Sequence, residues 1–336
     1  MADDCCGCCR RRRGATNSTF PSCATVFLLI SAIPVALIVS LELTSPAFAY
    51  RSGGWLRECV KWDPVTSRFF VSTFFGGGVA EIAEPRGTAV AEERVVLKDP
   101  DVAGNSSLGI AVDQVRRRLL VVYADALGFR YSAVAAYDME SWARIFLTRL
   151  SGPSDETSYA DDVAVDEDGI AYITDAKGNK IWKVGLNGEL LSVMKNNIFV
   201  QRKGWFNNLI GLNGIVYHPN GYLLVIHTSG GDLFKIDLKT EVVRVVKVEG
   251  SLSRGDGLLL VSPTKLVIAG TPSREAESSD DWATAKVTGR YIGPMHRVAT
   301  SATVKDRKVY LNHLFGFGLT KKTHLLAEGI FSPVAN

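Results

Sequence analysis

Four oxygen-bearing side chains recur at nearly the same phase of a loose repeat. They are Glu58 in "REC", Asp161 in "ADDV", Asn213 in "LNGI" and Asp256 in "GDGL". Each stands just ahead of a run rich in Val, Ile, Leu or Tyr. Carboxylates and amide carbonyls are hard donors, suited to calcium or another divalent cation with the remaining positions left to water or ligand. No single stretch resembles a continuous calcium loop, so such a site has to be assembled from separate parts of the chain. Taken singly, Asn-Gly and Asp-Gly are ordinary turn pairs. The coincidence of phase across four units is what marks the set. No Ser-His-Asp order, nucleophile elbow or Gly-rich phosphate loop stands beside it. "FFGGGV", from Phe74 to Val79, reads as a turn, and His218, His227 and His313 fall in or beside strands.

The elements that must position these residues are short strands. "CVKWDPVTSRFFVST" from Cys59, "GIAVDQVRRRLLVVY" from Gly109 and "DVAVDEDGIAYITD" from Asp162 share one grammar. "GIVYHPNGYLLVIHT" from Gly214, "GLLLVSPTKLVIAG" from Gly257 and "SATVKDRKVYLNHL" from Ser301 repeat it. Each is a β-run, a polar turn and a second β-run, as in a hairpin. A further strand pair follows most units, as in "NKIWKVGLNGELLSVM" and "GDLFKIDLKTEVVRVVKV". The units recur at roughly 40 to 55 residues, the period of a propeller or array. Four strands per unit is the content of a propeller blade, whose innermost strand borders a central channel. The expected fold is all-β: a six-bladed β-propeller over 50–336, preceded by an N-terminal hydrophobic signal or anchor helix. This overrides the two domains that length alone suggests.

Composition narrows the function classes. The chain has 336 residues, a net charge of +3 and 46% hydrophobic content. With no basic stripe interleaved with aromatics, nothing points to nucleic acid. Cys5, Cys6, Cys8, Cys9 and Cys23 crowd the start, so Cys59 has no partner for a disulfide within the body. Residues 1–23 read as a basic, Cys-rich tail in which "CCGCC" is a candidate for S-palmitoylation. Residues 24–49 read as a signal peptide or a signal-anchor transmembrane segment. "ATVFLLISAIPVALIVSL" is long enough to span or nearly span a bilayer, and Ala47 and Ala49 flank Phe48 in a small-x-small cleavage pattern. Cleavage and anchoring with Arg10–Arg13 in the cytoplasm both stay open. Either route delivers the body to the lumenal or extracellular side of the secretory pathway. Asn105 in "NSS" is then a glycosylation acceptor on a loop, whereas Asn17 in "NST" is cytoplasmic in the anchored form. The oligomeric state is left open.

The ordered motifs "RECVKWDPVTSRFFVS", "DDVAVDEDGIAYITD", "LNGIVYHPNGYLLV" and "GDGLLLV" resemble the SMP-30/gluconolactonase/LRE-like family. This is also described as the calcium-dependent phosphotriesterase superfamily, and the resemblance is to its plant secretory-pathway branch. It covers essentially the whole body. It implies a six-bladed propeller with metal residues at Glu58, Asp161, Asn213 and Asp256, the last also serving as general base. A bound calcium would polarise a lactone carbonyl while Asp256 helps activate water. Asp162 is expected to shape the turn or support the ligands, and Tyr159 and His227 to border a substrate pocket. Two positions depart from the pattern. Asp161 stands where relatives carry Asn, which should tighten cation binding and discourage anionic substrates. Tyr159 stands where sugar-lactone hydrolases tend to carry Arg. The implied function is a calcium-binding hydrolase of a small lactone, ester or phosphoester. The alternatives are a non-catalytic ligand- or partner-binding propeller with a structural calcium, and a strictosidine-synthase-like, metal-independent enzyme.

Overall fold

The computed structural model describes residues 47–83, 90–200 and 209–334, together with 34, 36–38 and 40 of the preceding segment. The cysteine cluster, the arginine run, Asn17 and most of the expected signal or anchor helix lie outside the described residues. Among the described residues, no helix is long and apolar enough to cross a membrane. Thr44–Asn336 forms one compact unit, distinct from Met1–Leu43.

Among the described residues of that unit, the strands fall into six antiparallel meanders. The alternating apolar runs fold as the hairpins their turns require. In the third meander, Ala160–Val165 returns as Ala171–Asp175 around Gly169, whose φ of +83° suits a residue without a Cβ. The inner strands are Val60–Asp63, Ser106–Asp113, Ala160–Val165, Leu212–His218, Gly255–Ser262 and Ala299–Lys305. Each adjoins the next and the last adjoins the first, in a closed cycle. The core is correspondingly divided. Leu120, Val122, Ile173 and Trp182 pack between the second and third meanders, and Ile226, Leu233, Leu258 and Ile268 between the fourth and fifth.

The ring is closed by the start of the body. Ala47–Ser52 pairs antiparallel with Lys322–Glu328, from Ala47↔Ala327 to Ser52↔Lys322, and so supplies the outer strand of the sixth meander. Ala47, Phe48 and Ala49, the small-x-small triplet, are therefore the first half of a structural strand, and the body begins ahead of Tyr50. A cut after Ala49 would remove half of the pairs that close the ring.

This seam carries a titratable group. His324 lies opposite Tyr50, is fully buried and stacks on its ring at 5.2 Å, while Nε2 meets the Gly54 carbonyl at 3.0 Å. Burial, aided by the cations Arg57 and Arg297, lowers the imidazole from 6.5 to about 4. The unfolded chain takes up a proton near pH 6.5 and the folded ring does not until about pH 4, so stability falls as pH drops through that window. The full effect is about 3 kcal/mol. Urea unfolding at pH 7 and pH 4.5 should show wild type losing more stability than His324→Gln; equal losses would contradict the assignment.

Candidate metal and substrate site

The four residues singled out by phase meet at one end of the ring of inner strands. Asp161, Asn213 and Asp256 are each the second residue of their inner strand, and Glu58 stands two residues before its own. Pairing to the neighbouring strand skips from Ala160 to Val163, from Leu212 to Ile215 and from Gly255 to Leu258. Asp161, Asn213 and Asp256 thus each sit in a β-bulge, a device that re-aims a side chain away from the regular pleat, while Glu58 lies ahead of its strand. The sequence set Asn213 and Asp256 just ahead of their strands; both residues, with Gly214 and Gly257, instead lie inside them.

Their glycines serve a different purpose. A Cβ at Gly214 would stand 2.2 Å from the Asp256 carbonyl oxygen, and one at Gly257 would stand 2.6 Å from the Thr300 carbonyl oxygen. A Cβ at Gly109 would meet Asp162 Oδ1 and the Asp161 carbonyl, each at 2.6 Å. The missing side chains let successive inner strands approach closely enough for the residue before each glycine to converge with its neighbours. Side chains also satisfy backbone groups along these edges. The Val60 N–H donates to Ser301 Oγ at 2.9 Å, and Thr174 Oγ1 donates to the Asn213 carbonyl at 2.7 Å. Asp162 acts in the same way: Oδ1 accepts from Val163 N–H and Oδ2 from Ile215 N–H, which ties the third inner strand to the fourth. It shapes a strand junction rather than a turn.

Glu58, Asp161, Asn213 and Asp256 line a cavity of about 510 Å³. Its walls are largely apolar, with Phe74, Phe129, Tyr159, Leu209, Ile210 and Leu314 among them, and Lys177 contributes a cation. Phe129 meets Tyr159 edge-on at 5.7 Å, and Lys177 Nζ lies 5.4 Å from the Phe129 ring centre. The same four polar residues also line, with Cys59, Asp162, Gly257, Thr300 and Ser301, a recess of about 10 Å³. That is room for about one water-sized occupant.

Burial and mutual repulsion dominate the electrostatics. Glu58 is raised well above the ordinary carboxylate range, first by burial and then by Asp256, Asp161 and Asp162. Asp161 is raised by burial, then by Asp256, Asp162 and Asp175. Asp256 is pushed up to about 7 by burial and Asp162, against hydrogen bonds from the Asn213 side chain and Gly257 N–H. Lys61 supplies a compensating charge: burial disfavours its ammonium, but Cys59, Asp162 and Glu58 outweigh that and raise it.

No three His, Cys, Asp and Glu side chains among the described residues form a ready-made metal set. The set here is completed by an amide, and its chemistry fits a hard divalent cation: buried and half-buried oxygen donors whose repulsion a cation would relieve, around a recess for one occupant. Tyr159 borders the cavity. His227 is absent from the lining; it is buried at the end of Tyr222–His227, where Nδ1 accepts the Gly230 N–H at 3.0 Å. Asn105 is half-buried in the bend before Ser106–Asp113, and Ser107 of its motif is buried with Oγ donating to the Gly78 carbonyl at 2.7 Å. Sequence reasoning missed Lys61, Thr300, Phe74 and Phe129. For Thr300 the signal was there, since it is the second residue of the sixth inner strand and its hydroxyl donates to the Glu58 carbonyl.

No family model and no curated protein matches the chain. Among solved structures it is similar to the major Malassezia sympodialis allergen Mala s 1, at 15% identity over 84% of this chain and 96% of that one, with a TM-score of 0.65. It is also similar to a luciferin-regenerating enzyme, at 12% identity over 85% and 96% of the two chains with a TM-score of 0.55. A streptogramin B lyase matches at 11% identity over 84% and 98%, with a TM-score of 0.53. At these identities the likeness is one of fold alone, and the fold is a β-propeller.

Proposed function

We propose that the six meanders are the blades of a six-bladed propeller of the SMP-30/gluconolactonase type, and that the chain is a calcium-binding hydrolase of a small lactone, ester or phosphoester. The observation that carries this reading is the meeting of Glu58, Asp161, Asn213 and Asp256 from four separate meanders in the lining of one cavity. These four would hold the ion, which when bound supplies Lewis-acid polarisation of a carbonyl or phosphoryl oxygen. Asp256 would accept a proton from the attacking water, with Asn213 fixing its carboxylate by a hydrogen bond. The apolar walls would seat the substrate and exclude bulk water. Together with the extra carboxylate at Asp161, they favour an uncharged, largely apolar substrate over a polyhydroxylated or anionic one. Calorimetric calcium titration of wild type, Asp256→Ala and Asn213→Ala tests the site, and unchanged affinity in both variants would refute it. With an aromatic ester as substrate, Phe129→Ser should raise KM roughly tenfold with a smaller change in kcat; an unchanged KM would remove the ring from the substrate's path.

A second reading draws on Lys61. Its ammonium, favoured by Asp162 and Glu58, offsets part of the cluster's charge without an ion pair to either among the described residues, which suits a non-catalytic, ligand-binding propeller. Calcium-dependent thermal stability without turnover on lactones, esters and organophosphates would support it. Turnover that survives chelation would instead support the strictosidine-synthase-like alternative. For the amino-terminal segment, the place of Ala47–Ala49 in the closing strand favours an uncleaved anchor with the propeller on the lumenal or extracellular side.

A further inference from the structure

The fifth meander carries a cluster of cations outside the cavity. Arg274 and Arg290 are direct partners across two antiparallel strands, so their side chains leave the same face. Arg254 joins them from the loop before the fifth inner strand. Arg274 Nη2 donates to the carbonyl of Ser253 at 2.8 Å, and Arg254 holds a left-handed φ of +63° with its N–H donating to the Thr228 carbonyl. Both Arg254 and Arg290 depress the charge of Arg274, which burial and their repulsion lower to about 10. Arg274 is only 5% exposed, yet its Nε and Nη1 have no hydrogen-bond partner. Thr228 Oγ1 and Thr271 Oγ1, on the loops that flank Arg254 and Arg274, are also buried and unpaired.

Such an arrangement is costly as it stands. Buried donors are nearly always paired, and guanidinium groups are not ordinarily gathered without an acid between them. Among the described residues no carboxylate forms an ion pair with any of the three. An oxyanion would resolve both problems, because guanidinium forks match the oxygens of phosphate, sulfate and carboxylate and bind them bidentately. Arg254 and Arg290 are exposed and able to close over it.

We propose that Arg254, Arg274 and Arg290 form a binding site for an oxyanion of the phosphate class, on the same rim as the cavity and two residues from Asp256. The anion is either a free ion or the phosphate of a larger molecule, such as a lipid headgroup. The site does not depend on the metal reading, so it is tested in chelator.

The full chain is titrated with inorganic phosphate, and with chloride at matched ionic strength, while thermal unfolding is followed. Wild type should show a saturable rise in Tm with phosphate alone, and the double variant Arg254→Ala/Arg290→Ala should need at least about tenfold more phosphate for the same rise. Both substituted residues are exposed, so the variant keeps its fold whether or not Arg274→Gln does. Co-sedimentation with phosphatidic acid vesicles, using phosphatidylcholine vesicles as control, separates the sources. Binding that free phosphate displaces assigns a headgroup, and phosphate binding without co-sedimentation assigns a free anion. A rise no greater with phosphate than with chloride, or one identical in the double variant, would overturn the proposal.

Discussion

Asp256→Asn is expected to weaken calcium binding severely and, in the same protein, to raise the Tm of the metal-free form. The two effects share one cause. Glu58 and Asp161 both feel Asp256 as their foremost charged neighbour, and Asp161 is buried while the other two are half-buried. Gathering these carboxylates destabilises the empty site, and removing one charge relieves that repulsion while keeping the shape and a donor oxygen. The same removal weakens a hard cation site, whose affinity follows the number of ligand charges. A loss on the order of 100-fold is expected. Wild type should gain about 2.7 kcal/mol at a calcium concentration 100 times its Kd, and the variant almost nothing at that concentration. Turnover, if the hydrolase reading holds, falls with it. Thermal unfolding in chelator and in calcium reads both effects together. A variant that is less stable than wild type in chelator and retains the calcium shift would contradict this account.

Gly214→Ala should be a severely damaging single-methyl change. Its Cβ would lie 2.2 Å from the Asp256 carbonyl oxygen, with Gly257 Cα and Leu258 N both at 2.8 Å. All three are backbone atoms, so no side chain can turn aside and the fourth and fifth inner strands must separate. A loss of about 4 kcal/mol is expected, beyond the usual range for overpacking because backbone has to move. Separation also parts Asn213 from Asp256, so calcium affinity should fall even in protein that remains folded. Gly221 provides the control. It has a φ of +84° with no atom near its absent Cβ, so Gly221→Ala should cost only about 1 kcal/mol. Denaturant unfolding of the two variants decides the matter: similar losses would mean that close approach of the inner strands is not what Gly214 provides.

The difference between these glycines marks how far the sequence could be read. Asn220-Gly221 is a turn, as its dipeptide suggests, because turn chemistry is local. Asn213-Gly214 is not, because its glycine answers to a carbonyl 42 positions away at Asp256, and nothing local records that contact. The hairpins and the phase of Glu58, Asp161, Asn213 and Asp256 were legible because strand alternation and repeat spacing are written along the chain. The bulges that aim three of these side chains were not, nor was Lys61, since one lysine in a strand carries no mark of the charges that act on it. "FFGGGV" reads correctly as a turn, yet the same turn sets Phe74 in the cavity wall, a fact that depends on the neighbouring meander. Asp161 lines the cavity, whereas Asp162, expected to shape a turn or support the ligands, ties two inner strands together. The closing strand was hidden for another reason: Ala47–Ala49 fits a cleavage motif, and its partner lies at the opposite end of the body.

The central claim is that four meanders bring their donors to one ion. A crystal structure of the full chain at high resolution, soaked with calcium, tests it most directly. The account predicts a single ion in the recess, bound by oxygens of Glu58, Asp161, Asn213 and Asp256. Calcium-free density at that recess, with Lys61 alone neutralising the carboxylates, would contradict it.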